Sequence, residues 1–392
     1  MTTLASKHIT LVVTGGIAAY KSCELVRRLR KEGAAVRVVM TRAATEFVGA
    51  LTFEALSGHP VAVSQFDGTM PHLSLSDTRT DLIVVAPATA NMLAKIANGI
   101  ADDLASSLIL GRTAPLMVAP AMNTNMWNAA PTRRNIETLK ADGVHIVGPA
   151  CGELACGVNA VGRMSEPCDI VEAIQSFFTP KVLAGRRVVL TAGPTYEAID
   201  PIRGITNRSS GKQGYAIALA AQRAGADVTL ISGPTSLPRP AGCHVIDVTS
   251  AIDMYEAVMA ACDNADVFIS VAAVADWRVE SVAEHKIKKK GDSQPVLSFV
   301  ENPDIVANVA ALPHRPYCVG FAAETQQVEQ YAQDKLAKKK LDLIVANDAR
   351  RAIGTDVNRV LLIDAEKTEG IGPADKHVIA RALIERIARE LV

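Results

Sequence analysis

The sequence predicts an α/β chain folded as two doubly wound, Rossmann-like domains built on parallel sheets. Three observations point there. At 392 residues the chain is long enough that two domains are the natural expectation. One strand–turn–helix phrase occurs twice, as ITLVVTGGIAAYKS at residues 9–22 and as VVLTAGPTYEAIDPIRGITNRSSGKQGYAI at residues 188–217. Each copy is a short β-branched run, a threonine, a glycine-containing turn and a helix of small residues, with a second strand pattern following at residues 33–39 and 225–231. Strand and helix patterns then alternate through both halves.

The first half predicts strands at 9–14, 35–40, 82–86, 115–119 and 145–147, and helices at 18–31, 44–57, 91–98, 101–111 and 128–142. The strands are Val/Ile-rich and often unbroken by polar alternation, as parallel strands buried on both faces should be. Residues 148–168 are Gly-rich with neither helical nor strand periodicity, which predicts a flap or long loop. A helix is expected at 169–178, then a linker ending near Arg187. The second half predicts strands at 187–191, 227–231, 244–247, 267–271, 317–320, 342–346 and 359–363, and helices at 212–224, 251–263, 302–311, 325–339 and 375–391. The boundary is set at 186/187.

Composition narrows the class. Apolar residues make up 49% of the chain and charged residues 21%, enough apolar material for two cores. The formal net charge is zero, so no global field draws nucleic acid or an acidic membrane, and an anionic ligand must be held by local groups. Seven irregularly spaced cysteines with no Cys-x-x-Cys pair argue against a disulfide framework. No apolar run approaches the roughly 18 residues that span a bilayer. These features predict a cytoplasmic setting.

In doubly wound sheets ligands sit in the loops after the strands. Gly15-Gly16-Ile17 leads from a strand into a helix, where glycine admits close approach and the helix N-terminus offers N–H groups to a phosphate; a tight turn without ligand is the alternative. The second strand ends on Thr41 rather than an acid, which favours a mononucleotide over NAD. Pro87-Ala88-Thr89 follows a strand and opens a helix, with Thr89 as cap or ligand contact. His72 lies in a polar loop and offers a base at neutral pH, or is an ordinary surface histidine. Asn123 in Pro-Ala-Met-Asn suits a carboxylate or a turn cap. Cys156 in the flap offers a mobile thiol or small apolar filler.

GGIAAYK, APATAN, PAMN and ACG, in this order, resemble the flavin-dependent cysteine decarboxylases, phosphopantothenoylcysteine decarboxylase in particular. The resemblance implies bound FMN and no net redox change. It assigns His72 as base, Asn123 to the substrate carboxylate and Cys156 as proton donor. It also implies FMN contacts from Gly15, Gly16, Ile17, Thr41, Pro87, Ala88 and Thr89. Val161 stands where that pattern has a proline before Gly-Arg-Met.

In the second half, Asn207-Arg208-Ser209-Ser210-Gly211-Lys212 opens a helix, either as an anion site or a simple cap, and lacks Walker A spacing. A strand ends near Asp276, and Lys286 follows in a lysine-rich connection; a carboxylate and a mobile lysine suit metal–triphosphate handling, while a lysine run also makes an ordinary solvated face. TAGPT, NRSSGK, AAVADW, KIKK, NPDIV and GFAAET resemble the phosphopantothenate–cysteine ligases. The resemblance implies carboxylate activation by CTP with Mg²⁺, then attack by the cysteine amine. It assigns Asn207 to the acyl-cytidylate, with Arg203 nearby, and Lys286 to its turnover. Ala273, Asp276, Pro303, Asp304, Ile305, Val306, Phe321, Lys335 and Lys339 would line the nucleotide site, with Asp276 also a metal ligand. Gly204 and Glu301 depart from the usual side chains at their positions.

Both resemblances together imply a bifunctional coenzyme A biosynthetic enzyme acting on 4′-phosphopantothenate, cysteine and CTP. They imply a homo-oligomer, a dodecamer if the flavin domains form trimers and the ligase domains dimers. The alternatives are a two-domain NAD(P)-dependent oxidoreductase and a non-catalytic regulatory flavoprotein.

Overall fold

A computed structural model describes residues 4–64, 79–153, 159–288, 296–324, 326–348, 350 and 355–391. The chain divides into two compact units, residues 1–178 and 179–392.

The first unit holds a five-stranded sheet of β1 (His8–Val13), β2 (Ala35–Met40), β3 (Leu82–Ala88), β4 (Leu116–Pro120) and β5 (His145–Ile146) in the order β2-β1-β3-β4-β5. All its pairings are parallel. This is the flavodoxin-like order, with its switch point between β1 and β3. The expected helix 44–57 is two shorter ones, Arg42–Thr45 and Ala50–Ser57, because Gly49 takes an extended conformation between them. The expected flap contains a hairpin instead of unstructured loop: β6 (Ala150–Glu153) pairs antiparallel with β7 (Asn159–Arg163). Its glycines and a register shift after Ala150 erase the alternation that would have announced it.

The second unit continues with β8 (Arg187–Ala192), β9 (Tyr196–Ala198), β10 (Gly204–Thr206), β11 (Asp227–Ser232), β12 (His244–Asp247), β13 (Val267–Ser270), β14 (Trp277–Val279), β15 (Phe299–Glu301), β16 (Tyr317–Glu324), β17 (Leu343–Asp348), β18 (Val357–Ile363) and β19 (Thr368–Asp375). Its main sheet runs β12-β11-β8-β13-β16-β17-β18-β19. Through β17 it is parallel in a Rossmann order, switching between β8 and β13. The parallel expectation fails for the last two strands: β17–β18 and β18–β19 are antiparallel. The edge strand β19 is largely exposed, so no buried apolar run marked it. Two short ribbons, β9–β10 and β14–β15, are also additions to the expected pattern. Residues 179–186 belong to this unit: Leu183 is 1% exposed in its core and donates its N–H to Ala224 O.

The same device sets strand register three times. Asp81, Asp266 and Asp342 each precede a parallel strand by one residue. Their carboxylates accept the backbone N–H of His8, Arg187 and Cys318, each at 2.7 Å. Their own N–H groups donate to the carbonyls of the same three residues. Each aspartate thereby fixes one neighbouring strand to another at its entry, and a register slip would break both bonds.

The cost of losing the device depends on burial. Cys318 is fully buried, whereas His8 is exposed. Asp342 also forms a two-pronged pair with Arg315, both contacts at 2.7 Å. Asp342→Ala should destabilise the chain by about 1.5–3 kcal/mol, as for a buried donor stripped of a charged partner. Asp81→Ala should cost less, because water reaches the His8 N–H. Urea denaturation followed by circular dichroism checks the ranking; equal midpoints for the two variants would contradict it.

Candidate functional site

In the first unit the loops at the switch point enclose a cavity of about 960 Å³. Its wall includes Thr14, Gly15, Gly16, Ile17, Thr41 and Thr89. Asn123 and Arg163 line it as well, so the flavin-loop residues and the carboxylate candidate share one space. Gly15 is required by packing, since a Cβ there would lie 2.5 Å from the Ala43 Cβ. At Gly16 a Cβ would meet only Thr89 Cγ2, at 3.6 Å. The room there and the N-terminus of helix Ala19–Lys31 fit the phosphate end of a mononucleotide.

The positions of the other expected residues divide. Thr41 and Thr89 both cap helices, accepting from Ala44 N and Met92 N at 3.3 Å. Pro87 and Ala88 are buried in β3 and do not line the cavity; Pro87 contributes its carbonyl, which accepts from Thr14 Oγ1 at 2.7 Å. Asn123 caps the helix Thr124–Asn128 through Oδ1, which accepts from Asn125 N at 2.8 Å. His72 and Cys156 lie outside the described residues.

The return strand of the flap is tied to the Asn123 loop. Met122 N donates to Gly162 O at 2.9 Å, and Thr124 Oγ1 donates to Val161 O at 2.8 Å. Any Cβ at Gly162 would stand 2.4 Å from Met122 O. Glycine before Arg163 is therefore a requirement of close approach, and Val161 contributes a carbonyl that does not depend on its side chain.

In the second unit the switch point is held by buried threonines. Thr191 Oγ1 accepts from Val271 N and Ala272 N at 3.2 and 3.1 Å. Thr195 Oγ1 accepts from Ala275 N at 3.0 Å, and its carbonyl accepts from Thr206 Oγ1 at 2.7 Å. Asn207 Nδ2 donates to Ala273 O at 2.9 Å, bringing two of the expected substrate residues together. The helix beyond Gly211 packs hard on β8: a Cβ at Gly214 would lie 2.5 Å from Ala192 Cβ.

A charged group gathers beside this crevice. Asn302 donates N–H to Asp276 O and side-chain amide to Ala275 O, at 2.9 and 2.8 Å, joining the Asp276 loop to Pro303-Asp304. Asp304 caps helix Ile305–Ala310 and pairs with Lys339 at 2.8 Å; Ile305 and Val306 turn into the core. Lys335 donates to Phe321 O at 2.7 Å. Burial, then Lys339, pushes the Lys335 ammonium below its ordinary range, while Glu324, Asp304 and Asp276 oppose them. These mutual influences bring Asp276, Asp304, Lys335 and Lys339 into one electrostatic cluster. Among the described residues no three His, Cys, Asp or Glu side chains group to hold a metal.

Arg203, expected near the acyl intermediate, is held by an ion pair with Asp200. Its guanidinium makes bonds of 3.0 and 2.5 Å to Asp200 and donates to Ile287 O at 2.9 Å. Asp200 also accepts from Ile287 N at 3.2 Å. The Arg203 guanidinium and three backbone N–H groups hold the Asp200 carboxyl far below the ordinary carboxylate range, against the cost of burial. The pair anchors the connection carrying exposed Lys286. Sequence reasoning missed Asp200; its only local sign was the Asp-Pro-Ile-Arg turn.

Comparison with known proteins finds relatives for both halves of the chain. Residues 1–179 match the Flavoprotein family, and residues 183–391 the DNA/pantothenate metabolism flavoprotein C-terminal domain. The chain is 48% identical over 400 residues to the coenzyme A biosynthesis bifunctional protein CoaBC of Vibrio cholerae, covering 100% of both chains. It is 47% identical to the CoaBC protein of Escherichia coli K12, covering 98% of this chain and 97% of that one. A crystal structure of the C-terminal domain of a CoaBC protein shares 39% identity, covers 54% of this chain and 98% of that one, and aligns with a TM-score of 0.47. The chain belongs to the family of bifunctional coenzyme A biosynthesis proteins, which unite a phosphopantothenate–cysteine ligase with a flavin-dependent phosphopantothenoylcysteine decarboxylase.

Proposed function

We propose that the two activities divide between the two units, with decarboxylation in residues 1–178 and ligation in residues 179–392. The single observation that carries this reading is the cavity shared by Gly15, Gly16, Thr89 and Asn123. It supports a flavin mononucleotide seated over the switch point and a substrate carboxylate met by Asn123. FMN, when bound, supplies reversible hydride acceptance, which makes loss of CO₂ from the cysteinyl carboxylate feasible. Gly15, Gly16, Ile17, Thr41 and Thr89 would hold it. Asn123 orients the carboxylate without charge repulsion. His72 takes a proton from the substrate, and Cys156 returns one after CO₂ has left.

In the ligase half, CTP binds over Asp276, Pro303, Asp304, Phe321, Lys335 and Lys339. The Lys335–Lys339 pair supports this reading, since phosphate charge would relieve the repulsion between two ammonium groups. The 4′-phosphopantothenate carboxylate attacks the α-phosphate, releasing pyrophosphate. Asn207 and Ala273 hold the acyl-cytidylate, and Lys286 assists its turnover as the cysteine amine displaces CMP. Asp276 would hold Mg²⁺, which would supply charge neutralisation to the triphosphate, as suits an ion that keeps few protein ligands. Arg203 contributes by fixing the Lys286 connection. The product passes to the flavin half, so the second domain acts first. The chain works as a homo-oligomer, a dodecamer if trimeric and dimeric contacts coexist.

Two outcomes follow. His72→Asn should keep its flavin but lose CO₂ release by about 10²–10⁴-fold, the range of a general base; near-parental decarboxylation removes His72 from the mechanism. Incubation with 4′-phosphopantothenate and cysteine should yield CMP from CTP and little AMP from ATP, and EDTA should stop turnover. Equal use of ATP, or undiminished turnover in EDTA, would remove the nucleotide or metal assignment.

A further inference from the structure

The base of the flap hairpin carries a charge cluster that the mechanism above leaves unused. Lys21 lies in the first turn of helix Ala19–Lys31, immediately after the Gly15-Gly16 loop. A cation there opposes the helix dipole, and its side chain is only 7% exposed. Both features make it costly without a partner. Glu166 is that partner, with Oε1 at 2.8 Å from Lys21 Nζ. Arg163, the last residue of β7, reaches the same Oε1 at 3.0 Å. Lys21 Nζ also lies 3.5 Å from Met164 O. Hydrogen bonding to Lys21 holds the Glu166 carboxyl below its ordinary range, with Arg163 adding to the effect against partial burial. Lys21 and Arg163 line the cavity that contains Asn123.

The opposite end of this arrangement is already fixed. Val161 and Gly162, in the same strand as Arg163, are bonded to Thr124 and Met122 on either side of Asn123. The strand is thus held to the Asn123 loop along its length and to the flavin-side helix at its exit. We infer that Glu166 is a positioning residue for decarboxylation: by joining Lys21 and Arg163 through one carboxylate oxygen, it sets the flap's return strand against the Asn123 loop. The inference rests on the reading of this cavity as the decarboxylation site. Glu166 touches no reacting atom in this account. It acts through Arg163 and the strand, so its loss should weaken substrate capture more than the chemical step.

The test uses the full chain and measures kcat and KM for 4′-phosphopantothenoylcysteine, bound flavin and ligase rate. Glu166→Gln and Lys21→Met should each lower kcat/KM about tenfold, mainly through KM, with flavin content and ligase rate unchanged. The double variant buries no unpaired charge and should fall only about threefold, well short of the product of the single effects. Parental kcat/KM in the single variants overturns the inference. So do multiplicative effects, or flavin loss in step with activity. If a single variant fails to fold, the double decides: parental KM in it overturns the clasp. Asn123→Ala, run alongside, reports on the underlying reading. Full decarboxylation in that variant overturns both the site and the clasp, whereas a defective Asn123→Ala beside a fully active Glu166→Gln overturns the clasp alone.

Discussion

Where the strand order reverses, neighbouring strands diverge, and the backbone groups at their ends lose sheet partners. A buried threonine takes over in both domains. Thr14, just beyond β1, donates to Pro87 O and accepts from Thr89 N across the gap to β3. Thr191, near the end of β8, accepts from Val271 N and Ala272 N across the gap to β13. These hydroxyls are 2% and 0% exposed as residues, so water cannot substitute for them. Leaving such groups unpaired costs about 1–3 kcal/mol each, more than an average hydrogen bond contributes. The crevice stays open because these threonines satisfy its floor, and the loops that carry the chemistry start from that floor.

On this shared floor the two domains build different chemistry. The first lines its cavity at the strand ends with Thr14, Gly15, Gly16, Thr41 and Thr89, residues with small or hydroxyl-bearing side chains or none. The second gathers Asp276, Asp304, Lys335 and Lys339 beside its crevice, with the Lys335 ammonium pushed down by burial and then by Lys339, itself paired with Asp304. Such a set suits a charged ligand that enters and leaves. Arg203 and Glu166 make parallel ion pairs, the first bonded to the Lys286 connection through Ile287 O and the second to the last residue of β7.

Much of this was legible in the sequence because it is local. The doubled Thr-plus-glycine phrase announced both switch points, and the Val/Ile runs announced the central strands. Thr89 and Asn123 were readable as caps from their positions before helices, whereas Asp304 fell inside the expected helix 302–311 and proved to cap it. What could not be read joins residues far apart in the chain. Glu166 meets Lys21 across 145 positions, and Asp200 meets Ile287 across 87. The strand-leading aspartates were visible as residues, but their reciprocal bonds exist only once parallel strands pair. The hairpin β6–β7 escaped because its glycines and a register shift break the alternation, and edge strand β19 because it is largely exposed.

The direct test of the threonine floor is to replace each hydroxyl by a methyl of nearly the same shape. In the full chain, Thr14→Val should lose at least about tenfold in flavin affinity or decarboxylation while ligation stays within about twofold, for a loss of one to two buried hydrogen bonds. Thr191→Val should do the reverse. Parental activity of either variant in its own domain's reaction, or an equal loss in both reactions, would contradict the account.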